Sequence, residues 1–71
     1  MTPNARVPVE EDRLTLQILG SMARGRSTTE AARECGVSLS TVRRRLEAAR
    51  EEWRLNVNIQ LVVRAVRRGL I

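Results

Sequence analysis

The sequence predicts an all-α domain of four helices, and three observations carry that expectation. Apolar residues recur at three- and four-residue spacing along most of the chain, helix-start chemistry stands at Ser27 and Ser38, and glycines fall where the resulting segments would end. The run Leu61-Val62-Val63, with its β-branched residues, is the competing strand signal. The helical period persists across it and decides for helix. With 71 residues, 42% of them apolar and one aromatic, Trp53, the chain can build one small domain around a thin aliphatic core.

Residues 1–8 hold Pro3, Asn4 and Pro8 without an apolar period and read as a flexible arm, leaving 9–71 as the domain. Glu10, Glu11 and Asp12 stand in what would be the first turn of helix one, where the macrodipole favours acids. Leu14, Ile18 and Met22 recur every four residues, with Leu19 beside them, up to Arg24-Gly25. Gly20 within that stretch predicts a close helix contact. Ser27-Thr28-Thr29-Glu30 is a capping box, opening a short helix two that turns Ala31, Ala32 and Cys35 inward and stops at Gly36. Ser38 caps helix three, whose buried stripe is Val42, Leu46, Ala49 and Trp53, ending about Trp53 or Arg54. Helix four covers roughly 57–68 with Gly69 as its cap. Its buried face is expected to carry Ile59, Val62, Val63 and Val66, which leaves Val57, Leu61 and Ala65 outside as an apolar self-pairing surface.

Composition excludes several function classes. No His removes the commonest general base and metal ligand, and the lone Cys35 permits neither an internal disulfide nor a CxxC metal site. No constellation supports an enzyme, a cofactor or a metal, and no small-molecule site is expected in so short a chain. Apolar runs fall far short of the roughly 20 residues of a membrane span, and the first residues lack signal-peptide character, so a cytoplasmic, nucleoid-associated location is expected.

All 13 cations are Arg, and the excess charge is confined to one half. Residues 1–35 carry five Arg and five acids, whereas 36–71 carry eight Arg and three acids, which accounts for the whole net +5. A GC-rich genome would favour Arg over Lys but does not produce that asymmetry. A basic half-domain suits a polyanion, and guanidinium groups suit bidentate phosphate or guanine contacts.

A short helix, a turn at glycine and a longer helix with a basic outer face is the helix-turn-helix plan. Ala32, Gly36 and Val42 have the sizes and spacing that let two helices cross. At about 100° per residue, pointing Val42, Leu46, Ala49 and Trp53 at the core turns Arg44 outward between Ser40 and Glu47, with Arg43 to one side. That face has the chemistry of a major-groove reader: Arg for guanine, Glu for the cytosine amine, Ser for either. Thr41 and Arg45 lie nearer the core edge, Thr41 placed for phosphate and Arg45 for phosphate or for lying along the domain surface, and Thr28 and Thr29 offer hydroxyls and helix-start N–H groups to another phosphate. The bland reading is a solvated face in which Arg43, Arg44 and Arg45 pair with Glu47, Glu51 and Glu52.

From Gly25-Arg26-Ser27-Thr28-Thr29-Glu30-Ala31-Ala32 through Gly36-Val37-Ser38 and Ser40-Thr41-Val42-Arg43 to Ala65-Val66-Arg67-Arg68-Gly69-Leu70-Ile71, residues 9–71 resemble the LuxR-type C-terminal helix-turn-helix domain. The chain departs from that pattern at Glu11 to Thr15, at Thr28-Thr29, at Glu47 and around Trp53-Arg54-Leu55, and Arg45 stands where a His is usual. The Arg45 variant and the acidic opening look similar to an actinobacterial branch. The resemblance implies a four-helix tetrahelical domain binding an inverted repeat of double-stranded DNA as a homodimer, with Arg43 and Arg44 at bases and Thr41 at the backbone. It implies a dimer contact through helix four, where the face reading sets Val57, Leu61 and Ala65, with Arg68, at the contact, and the expected regulator would also touch RNA polymerase. The expected function is therefore a sequence-specific transcription regulator, or its DNA-binding output domain, with residues 39–54 as recognition helix. The alternatives are a promoter-binding module like region four of sigma factors, or an interaction adaptor that does not bind DNA.

Overall fold

The structure, a computed structural model, describes residues 7–71. Most of the arm expected over 1–8 lies outside the described residues. A single 3-10 turn, Val9–Glu11, leads into α1 (Arg13–Ala23), α2 (Thr28–Cys35), α3 (Leu39–Trp53) and α4 (Asn58–Arg67), with no strand among the described residues. The all-α expectation holds. Glu10 and Glu11 sit in the 3-10 turn and outside α1, because Asp12 takes the N-cap and accepts from the Thr15 amide.

α1 is the hub, packing against the other three helices, while α4 leans on α1 and α3. Ile18 and Leu19 are fully buried, closed over by Ala31 and Ala32 of α2 and by the whole expected stripe of α3, Val42, Leu46, Ala49 and Trp53. Gly20 makes no close helix contact. The nearest atom to a Cβ built there is Arg24 Nη1 at 3.7 Å, so that expectation fails. The α2–α3 turn forms as expected: Gly36 adopts φ +70°, which frees the Val37 amide to donate back to the Ala32 carbonyl at 3.0 Å. Arg54 makes the same turn after α3 at φ +56° without being glycine.

α4 is rotated from the expected face. Leu61 and Ala65 are 0% exposed and Val62 8%, whereas Ile59, Val63 and Val66 are 64%, 42% and 52% exposed. Leu61 and Ala65 are core residues and cannot meet a second chain. The apolar sector of this helix is about 200° wide at 100° per residue, so periodicity fits either edge of it. Contacts beyond the helix decide. Asn58 accepts from Arg50, Arg64 donates to the Trp53 carbonyl at 3.3 Å, and small Ala65 lets the helix lie close.

Candidate nucleic-acid interface

Helix three displays its first turns because Ser38 caps it cleanly. The Ser38 hydroxyl accepts from the Thr41 amide at 3.0 Å and donates to Thr41 Oγ1 at 3.0 Å. With Val42 and Leu46 locked in the core, Ser40, Arg43, Arg44 and Glu47 are all exposed on the opposite side. Arg44 touches its own helix through a 3.4 Å contact to Thr41 Oγ1. Arg43, Arg44 and Glu47 stand in solvent, and no ion pair among the described residues engages them.

The acids are occupied elsewhere. Glu34 binds Arg26 at 2.8 Å and Arg24 at 3.4 Å and accepts from the buried Ser21 hydroxyl, clamping α1 to α2. Arg26, then Ser21, holds the Glu34 carboxyl below its usual range. Both Glu52 oxygens accept from the Val9 amide at 3.2 Å, fixing the domain's entry onto α3. The balance of charge on the outward turns of α3 is therefore left to Arg43, Arg44 and Glu47.

Arg45 does not join them. Its Nη1 donates to both Asp12 oxygens, at 2.7 and 2.8 Å, beneath the start of α1. Burial raises the Asp12 pKa, but the hydroxyl and amide of Thr15 and the Arg45 guanidinium outweigh it, and the carboxyl titrates below its ordinary 3.8. Arg45 thus lies along the domain surface, one of the two placements expected for it, on a partner that sequence-local reasoning could not see across 33 residues.

At the start of α2 the capping box closes as expected, with Glu30 accepting from the Ser27 amide at 2.8 Å and Ser27 from the Glu30 amide at 3.1 Å. Those bonds from Ser27 hold the Glu30 carboxyl below its ordinary range. The amides of Thr28 and Thr29 keep no protein partner among the described residues. A charged Glu30 already answers the helix dipole there, so a phosphate at Thr28 and Thr29 would depend on hydrogen bonds rather than on net charge. Arg68, expected at a dimer contact, lies over the Trp53 ring at 4.9 Å and pairs with Glu10 at 3.6 Å.

A short first helix, a left-handed glycine turn and a longer helix with a displayed basic start are the parts of a helix-turn-helix. A family model for homeodomain-like domains matches residues 8–69. The chain belongs to the homeodomain-like domain family. That match spans all four helices of this homeodomain-like domain, including α4. No curated protein and no solved structure matches the chain significantly.

Proposed function

We propose that this homeodomain-like domain binds double-stranded DNA sequence-specifically, as a transcription regulator or the DNA-reading part of one, with the first turns of α3 in the major groove. The observation that supports this most is Arg43 and Arg44 standing exposed, with no ion pair among the described residues, on the helix that follows the Gly36 turn. Arg43 and Arg44 offer donors to guanine O6 and N7, Glu47 accepts from a cytosine amine, and Ser40 and Thr41 reach the edge or the backbone. Thr28 and Thr29 hydrogen-bond a phosphate from α2. The LuxR-type motifs favour the same register. Arg45 is a structural residue in this reading.

Selection of random-core duplexes followed by anisotropy titration at two salt concentrations tests it. An enriched motif, whose affinity falls steeply with salt and whose salt slope drops by about one unit on Arg43→Ala, is the expected result. Feeble binding that ignores sequence and is unchanged by Arg43→Ala and Arg44→Ala would overturn it in favour of the adaptor reading.

A further inference from the structure

The outer side of α4 is apolar where it meets solvent and basic along its border. Ile59, Val63 and Val66 follow one another at four- and three-residue spacing, each more than 40% exposed, as a ridge about 10 Å long at 1.5 Å per residue. Along the flank of the ridge runs a groove of about 420 Å³ lined by Leu55, Ile59, Gln60, Val63, Arg64, Arg67 and Arg68. No carboxylate lines it. Arg64 is braced by the Trp53 carbonyl, Arg68 lies over the Trp53 ring and already pairs with Glu10 at 3.6 Å, and Arg67 has no ion pair among the described residues.

We propose that this face docks an acidic amphipathic helix of a partner protein. Charge decides between occupants. A second copy related by a two-fold axis would set the Arg64 and Arg67 rows against themselves. Duplex DNA would answer the arginines but leave the apolar floor against phosphate. A helix with apolar residues at three- and four-residue spacing, flanked by Glu or Asp, covers the ridge and meets the guanidinium groups at once. The proposal is independent of the DNA-binding reading, since it concerns a different face and its test needs no DNA.

The test is titration of the isotope-labelled whole chain with a synthetic helical peptide carrying a leucine stripe flanked by glutamates, and with its lysine-flanked counterpart. The expected result is amide shifts confined to residues 55–68, with the glutamate peptide at least about fivefold tighter than the lysine one. Val63→Asp and Arg67→Glu should each weaken the glutamate peptide by about fivefold or more, and Arg67→Glu should narrow the preference between the two peptides. Absence of binding, equal binding of both peptides, or shifts centred on Arg43 and Arg44 would overturn the proposal. So would a concentration-dependent dimer abolished by Val63→Asp, which gives the face to a second copy, or a loss of DNA affinity on Arg67→Glu as large as on Arg43→Ala, which gives it to a duplex.

Discussion

Arg45 and Asp12, 33 residues apart, meet through one guanidinium nitrogen that donates to both carboxylate oxygens at 2.7 and 2.8 Å. The contact ties the middle of α3 to the N-cap of α1, so the helix that displays Arg43 and Arg44 is held in place by the residue that follows them.

Arg45→Ala should therefore weaken the fold more than it weakens DNA binding. The Arg45 side chain is 42% exposed, which screens the pair, but Asp12 is only 15% exposed and would lose a charged partner. A loss of about 1 kcal/mol in urea unfolding is expected, discounted for solvent screening. The salt slope of DNA binding should be unchanged by Arg45→Ala and reduced by Arg43→Ala, which anisotropy at several salt concentrations resolves.

Acid should destabilise the domain through three carboxylates. Asp12 titrates below 3.8 in the folded chain, and Glu30 and Glu34 below 4.5, because their hydrogen bonds and cations favour the charged forms. A depressed folded pKa means that the unfolded chain takes up protons first as pH falls. The stabilisation is complete above the ordinary values and is lost from about pH 4.5 downward. Melting temperatures between pH 6 and pH 2.5 should be flat at the upper end and fall below pH 4.5, with a shallower fall in Asp12→Asn.

Helices α2 and α3 were legible residue by residue, since their caps and stripes are local: Ser27 and Glu30 bond each other, and Val42, Leu46, Ala49 and Trp53 share one narrow face. The outward set Ser40, Arg43, Arg44 and Glu47 followed from that stripe. What escaped reading depends on partners distant in sequence. The wide apolar sector of α4 does not say which edge turns inward, and Asp12 gives no sign that it will hold Arg45.

That rotation of α4 has a direct check. Leu61→Ala, at a fully buried position, should cost about 2–4 kcal/mol, whereas Ile59→Ala, at a position 64% exposed, should cost less than about 0.5 kcal/mol. Denaturant titration of the two variants reads the difference. Equal costs, or the reverse order, would restore the face in which Ile59 points to the core.

Two of the left-handed helix ends, at Gly36 and Arg54, predict opposite effects. Gly36 has open space where a Cβ would stand but sits at φ +70°, so Gly36→Ala should destabilise by about 1 kcal/mol through backbone conformation alone. Arg54 already bears that cost at φ +56° on an exposed site. Arg54→Gly should remove much of it and raise stability by a few tenths to about 1 kcal/mol. Thermal unfolding of both variants measures the pair.

Glu47 is the acid on the displayed turns of α3 beside Arg43 and Arg44, and its charge works against every phosphate it approaches. In the proposed reading its carboxylate accepts from a base edge, which in the major groove means the cytosine amine. Glu47→Ala should therefore tighten binding to random duplex by a few-fold while lowering discrimination at one base pair of the selected motif, by about 1–3 kcal/mol. Competition between the selected duplex, its single-pair variants and random DNA at fixed salt separates the two effects. Tighter random binding with discrimination intact would make Glu47 a bystander on the helix and leave base reading to Arg43 and Arg44.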